Sequence, residues 1–384
     1  MTADRQADWD PRAEAVLRDQ RAAYDAMRET RPVAYSELLG WSVFRHDDVL
    51  RVLLDHQSFS NAVSARVSAP NGMDPPEHTA YRRLIEPYFA PEPMQAFSPV
   101  CRRIAADLIE RSLAAQQVEF MAEVAGPFAV RAQCAFLGWP LALEGPLIDW
   151  TRRNRDATLA QDRQELAELA SQFEQIIVEQ LERRREVGPD ADVTAGLMHQ
   201  QIGARRLNAA ELASILRNWT AGEVGTMAAA LGILVQFLAA HDQLQSQLRS
   251  QPALVPYAID EILRIDGPLV ANRRVTTRPV ELRGIPIAAG QRVSLMWISA
   301  NRDSRVFPDP YEFRWDRDPA QNLLYGAGIH VCPGAPLARL EMRLFIEELL
   351  GRTTQLRLNP DAPPTRARFP ASGYDGLSVR LQAA

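Results

Sequence analysis

Leu324-Tyr325-Gly326-Ala327-Gly328-Ile329-His330-Val331-Cys332-Pro333-Gly334-Ala335-Pro336-Leu337-Ala338-Arg339 sets one cysteine in a loop punctuated by three glycines and two prolines. Behind it, residues 337–350 place apolar side chains at Leu337, Leu340 and Leu344, the spacing of one helix face. Cys332 thus lies just before a helix N-terminus, where the macrodipole and free N–H groups favour a thiolate. The glycines allow close backbone approach and dihedrals closed to other residues. A thiolate held this way is a soft metal ligand. A lone cysteine beside a helix is more often a small buried apolar residue, so the spacing around it has to carry the reading.

The chain of 384 residues contains no Gly/Ser linker, charge block or internal repeat. It reads as one domain, 1–384, long enough to bury a sizeable core. Its 43 basic residues are all arginine and stand against 48 acidic ones, for a net charge of −5. That balance argues against a general nucleic-acid binder. Three cysteines do not make a disulfide framework; Cys101 and Cys134 sit in helix-like contexts and read as inert. Residues 1–21 are polar and lack the apolar stretch of a signal peptide. No run of about 18 apolar residues is evident. The expectation is a cytoplasmic protein with no membrane span.

Along the chain, residues 10–31 read as a helix, residues 42–45 as a short strand, and His46-Asp47-Asp48 as the cap of a helix over 49–54. A polar loop is expected over 58–76. Pro75 and Pro76 fit a helix start, and His78 and Arg82, four apart, share a face of that helix. Residues 96–185 read as largely helical. Asn208 and Glu211 form a capping-box pattern that opens a long helix over 209–240, apolar nearly all round from Met227 onward and so expected to cross the protein's middle. Short strands are expected at 280–282, 285–287 and 292–295. The class is mainly α with small β-sheets.

The loop around Cys332 resembles the haem-binding loop of the cytochrome P450 family. Tyr325 stands where phenylalanine is usual, Gly326 follows it directly, and Gly328, His330, Cys332, Gly334, Leu337, Ala338 and Arg339 match. Further motifs of that family occur upstream in order. Asp74-Pro75-Pro76-Glu77-His78 with Arg82 matches a helix whose His and Arg reach the haem propionates. Glu261-Ile262-Leu263-Arg264 matches the family's acid–arginine pair, and Arg317 the arginine that joins it. Arg274 matches another propionate contact, with Arg273 beside it leaving the register open by one residue. The resemblance covers about residues 10–382. It implies the P450 fold, haem b bound through Cys332, propionate contacts from His78, Arg82, Arg274 and His330, close approach at Gly326, Gly328 and Gly334, and a structural network of Glu261, Arg264 and Arg317.

One stretch departs from the family. Most relatives carry Ala-Gly-x-acid-Thr in the long helix, where the acid and alcohol order water and supply protons. Here the helix reads Ala221-Gly222-Glu223-Val224-Gly225-Thr226. Val224 falls at the acid and Gly225 at the alcohol. Glu223 and Thr226 are three apart and share a face, and Gly222 and Gly225 cost helix stability of about 1 kcal/mol each, which suggests close approach. The favoured expectation is a relay through Glu223 and Thr226. A hydroxyl of substrate or water, or a reaction that bypasses the relay, stays open.

The resemblance implies a monooxygenase that inserts one oxygen atom of O2 into a small or medium-sized organic substrate. No flavin or iron–sulfur region is evident, so electrons are expected from a ferredoxin and ferredoxin reductase drawing on NAD(P)H. The partner would dock near Arg102, Arg103 and Arg343. Substrate contacts are expected within 60–73, notably Val63 and Val67, near Asn218 and Gly225, over 269–272 with Leu269 and Val270, and near Tyr374. A peroxide-driven or non-oxidative haem-thiolate enzyme and a haem-based ligand-binding protein remain as alternatives.

Overall fold

A computed structural model describes residues 6–64, 66–115 and 117–384; the polar start at 1–5 and Ala65, within the expected substrate segment, lie outside them. The element around which the rest packs is the helix Ala209–Ala239. It begins where the pattern predicts. The Asn208 side chain accepts from the Glu211 N–H at 2.9 Å, and the Glu211 carboxylate accepts from the Asn208 N–H at 2.8 Å. Two of the helix's orphan donors are thereby satisfied. Beyond Met227 nearly every side chain is buried, Leu231, Leu234 and Val235 completely. By length and composition this helix could cross a membrane, but 56% of its most apolar window is buried inside the protein. It is a core helix, and its apolarity has that cause.

The helix Ala335–Arg352 follows the cysteine loop and packs lengthwise on Pro91–Ala115 and across the central helix. Leu337, Leu344 and Phe345 form its buried stripe, while Leu340 is only partly covered. Glu341 lies in that same stripe and is 0% exposed. The two largest of the five small sheets among the described residues flank the helical body. One has five strands in the order Val33–Ser36, Gly40–Val43, Arg292–Met296, Ala271–Thr276, Phe59–Ser60. Its single parallel pairing joins Gly40–Val43 to Arg292–Met296. The other joins Thr353–Leu358, Ser378–Ala383 and Gln117–Glu119.

Local departures from the sequence reading have simple causes. The expected helix over 10–31 is two helices, Glu14–Arg18 and Gln20–Thr30. Asp19 is extended between them, and its carboxylate caps the second by accepting from the Ala22 N–H at 3.1 Å. His46, Asp47 and Asp48 do not precede a helix; they form the first turn of His46–Leu54, where the two acids face the positive end of the dipole. The 58–76 stretch is not all loop, because Phe59–Ser60 pairs with the edge strand Ala271–Thr276. Pro75 and Pro76 stand just before the helix Glu77–Ile85 rather than inside it.

Candidate active site

The cysteine loop closes one wall of a cavity of 610 Å³. Two glycines shape the loop. Gly326 and Gly328 adopt φ of 76° and 70°, in the left-handed region, and a Cβ on Gly328 would sit 2.8 Å from the Leu53 carbonyl. Gly334 has φ −81° and needs no such freedom; it contributes its N–H. The Cys332 N–H donates to the Tyr325 carbonyl at 2.9 Å, and Arg82 Nη1 donates to the Val331 carbonyl at 2.7 Å. Cys332 opens onto the cavity, whereas Cys101 and Cys134 are buried. Burial pushes the Cys134 thiol up to about 12 and the Cys101 thiol higher still. The helix N-terminus does not by itself make Cys332 a thiolate. Burial pushes its thiol up, and the N–H groups of Gly334 and Ala335 only partly offset this. A bound cation would take the proton's place.

Cationic and neutral donors converge beside the loop. His78, 3% exposed, faces His330 with ring centroids 4.2 Å apart. Both ring nitrogens of His78 and Nε2 of His330 are buried without a partner. Burial lowers both histidines; His330 falls to about 3, further depressed by His78, Arg274 and Arg82. Arg274 is buried and makes one bond, Nη1 to the Arg273 carbonyl at 2.8 Å. Burial takes it down to about 10. Of the adjacent arginines it is Arg274 that is buried, while Arg273 is exposed. Arg82 also reaches Glu86 at 2.9 Å. Buried donors without acceptors are costly, and this set suits a ligand carrying carboxylates. A haem, with iron on Cys332 and propionates on His78, His330, Arg274 and Arg82, fits these residues.

Behind the loop, Arg264 grips Glu261 with two parallel bonds of 2.8 and 2.9 Å, and Arg317 Nε donates to the same carboxylate at 2.7 Å. Arg264 also donates to the carbonyls of Asn301 and Pro310, and Arg317 to those of Pro308, Asp309 and Glu312. Glu261 and Arg264 are almost fully buried. The group ties the helix Val255–Ile265 to the irregular chain before the cysteine loop.

The opposite wall is the central helix. Gly222, Glu223 and Thr226 line the cavity. Gly225 does not: a Cβ there would meet Thr151 Cγ2 at 3.7 Å, so its openness serves packing against the helix Glu144–Ala160. Val224 is buried in the core. Among the expected substrate contacts, Val63 and Leu269 line the cavity and Val67 and Val270 do not. Val270 is 2% exposed and packs with Tyr24, Phe44 and Met296. Asn218 is used internally, bonding the Ala69 carbonyl at 3.1 Å, and Tyr374 is buried. Polar side chains of the expected segments 60–73 and 269–272 join the lining, among them Asn61, Ser64, Asn71 and Asn272. The arginines expected to meet a partner are partly spent. Arg102 pairs with Glu347 and Glu348 at 2.7 and 2.6 Å, and Arg343 with Glu347 at 2.9 Å.

Glu341 escaped the sequence reading. Both of its oxygens are buried without a hydrogen-bond partner, and burial, with the nearby Glu223 carboxylate, pushes it well up. The available signal was an acid four residues after Leu337 and three before Leu344, in the middle of an apolar stripe.

The family model described as Cytochrome P450 matches residues 145–369. Cyclomarin C epoxidase of Salinispora arenicola is 31% identical over 353 residues, covering 86% of this chain and 88% of that protein. Mycinamicin IV hydroxylase/epoxidase of Micromonospora griseorubida is 31% identical over 367 residues, covering 90% of each. Among solved structures, a mutant of P450 EryK in complex with erythromycin B superposes with a TM-score of 0.85 at 30% identity, covering 95% of this chain and 97% of that one. CYP109Q5 from Chondromyces apiculatus gives 0.87 at 27% identity, with 98% of each covered.

Proposed function

The chain belongs to the cytochrome P450 family and is a haem monooxygenase, and from that premise we propose how its own residues divide the work. Haem ligated by a cysteine thiolate supplies the oxidising chemistry, the insertion of one oxygen atom of O2 into a substrate C–H bond or double bond. Cys332 would hold the iron. His78, His330, Arg274 and Arg82 would bind the propionates, and the Glu261–Arg264–Arg317 group would keep the cysteine loop in place. The whole of 1–384 would act as one domain.

The second oxygen atom must leave as water, which calls for two electrons and two protons from outside the substrate. Ferredoxin and ferredoxin reductase, drawing on NAD(P)H, would supply the electrons, in the cytoplasm. Glu223 and Thr226 would pass the protons, since they are the acid and alcohol that the central helix presents to the cavity. The relatives named above act, by their names, on cyclomarin C and mycinamicin IV. A substrate of the same kind, an oxygenated natural product, suits the polar lining at Asn61, Ser64, Asn71 and Asn272. Val63 and Leu269 would supply its apolar contacts.

The observation that carries this reading is the set of buried, partnerless donors next to an accessible cysteine. Product formed with a surrogate ferredoxin, its reductase and NAD(P)H, and not with peroxide alone, is the result expected. Product with peroxide alone would favour the peroxide-driven reading, toward which Val224 and Gly225 lean by leaving the usual acid and alcohol positions empty of function.

A further inference from the structure

The strand Ala271–Thr276 brings two adjacent arginines to the cavity. Arg274 is buried among the donors assigned to the propionates. Arg273 lines the same cavity, and its guanidinium makes no hydrogen bond or ion pair among the described residues. Nearby arginines do have acceptors. Arg278 donates to Ser58 Oγ at 2.7 Å, and Arg292 to the Leu38 carbonyl at 3.1 Å.

Arg273 is exposed, yet loss of solvation pulls its guanidinium down, and the charge acting on it, Arg292, has the same sign. A side chain that is exposed and still short of water faces an enclosed space, here the cavity. A guanidinium keeps its proton in such a place, and with it a planar fork of N–H donors. The only acid among the described lining residues is Glu223, on the opposite wall. The chain therefore brings Arg273 no anion, and a desolvated cation without one is costly. Outside the propionate contacts His78, Arg82, Arg274 and His330, Arg273 is the one cationic side chain of the described lining. One cation suits one negative charge better than the nearly two of a phosphate group. Its fork matches a carboxylate through two parallel N–H···O bonds.

We propose that Arg273 determines the specificity of the cavity and that the substrate carries a carboxylate, which Arg273 grips. The inference rests on the haem and substrate cavity assigned above, and it narrows the substrate class to carboxylic acids. Asn272, next along the strand, adds an amide beside the grip. Val63 and Leu269 face the apolar part of the same molecule.

The test is the Soret shift of the resting, haem-loaded protein during titration with matched probes at fixed ionic strength, below their micelle concentrations. The pairs are dodecanoic acid and methyl dodecanoate, naphthoic acid and methyl naphthoate, and abietic acid and its methyl ester. At least one acid should bind the wild type about 10- to 100-fold tighter than its ester, the worth of a charge-assisted contact. Arg273→Gln should lose that preference, keep its affinity for the ester and keep the haem. Arg273→Met is the second variant if Arg273→Gln fails to accumulate. Arg292→Gln removes a like charge outside the cavity lining and should leave the preference in place. Acids that bind no tighter than their esters, or not at all, would overturn the proposal. So would a preference that survives in Arg273→Gln or disappears equally in Arg292→Gln. Haem loss in Arg273→Gln would make the residue a propionate contact and overturn it too. A wild type that takes up no haem would instead remove the reading on which the proposal rests.

Discussion

His78 and His330, from a helix and a loop far apart in sequence, face each other across 4.2 Å with three of their four ring nitrogens buried and unbonded. Two facing imidazoles with no acceptor are unstable company, and Arg274 and Arg82 bring positive charge beside them. The arrangement makes sense as the receptor of an anionic group. Arg274→Ala should therefore weaken haem retention. One charge-assisted hydrogen bond is worth about 1.5–3 kcal/mol, which is about 10- to 100-fold in affinity. The ratio of Soret to protein absorbance after haem transfer to an acceptor protein measures it. Unchanged retention would remove Arg274 from the haem contacts.

Glu261→Ala would leave Arg264 and Arg317 buried without their carboxylate. Breaking a buried pair by removing one partner costs roughly 3–5 kcal/mol. Denaturant unfolding should show that loss, and expression should yield little haem-loaded protein. Wild-type stability would mean the bonds to the carbonyls of Asn301, Pro308 and Pro310 suffice alone.

Gly328→Ala should destabilise the cysteine loop. The backbone there has φ 70°, and the added methyl would meet the Leu53 carbonyl at 2.8 Å. A strained left-handed residue costs of order 1–3 kcal/mol. The same substitution at Gly334, φ −81°, should cost less. Comparing the two melting temperatures is the check, and equal losses would contradict the assignment of strain to Gly328.

Acid stability should carry the signature of Glu211. Arg205 donates to its carboxylate at 2.6 and 2.8 Å and Tyr81 at 2.6 Å, holding it down to about 2, from 4.5. A depressed carboxylate stabilises the fold fully above its unfolded value, and that contribution is lost as pH falls through its folded value. Arg205 is half exposed, so solvent screening keeps that contribution well below what the full shift would imply. Glu211→Gln should lower stability at neutral pH and flatten the slope between about pH 4.5 and 2. An unchanged slope would assign acid unfolding to other groups.

Much of this was legible because it is local. The capping box at Asn208, the apolar run after Met227 and the spacing around Cys332 are each read within a few residues. What was missed depends on which way a side chain points in three dimensions. Gly225 and Val270 sit on the expected segments but turn toward Thr151 and Tyr24. Phe59–Ser60 becomes a strand only because Ala271–Thr276 offers it an edge. Glu341 reads as one charged residue on a charged helix until Glu223, 118 positions away in a different helix, is brought near it. The break at Asp19 follows from a side chain winning the N–H groups of the next turn, a competition that periodicity does not register.

The account stands or falls on Cys332 as the iron ligand. The direct measurement is the absorption spectrum of the reduced, carbon monoxide-treated protein and of Cys332→Ser. The wild type should show the red-displaced Soret band of thiolate ligation, and Cys332→Ser should fold but lack it. A wild type without that band, or a serine variant that keeps it, would contradict the assignment.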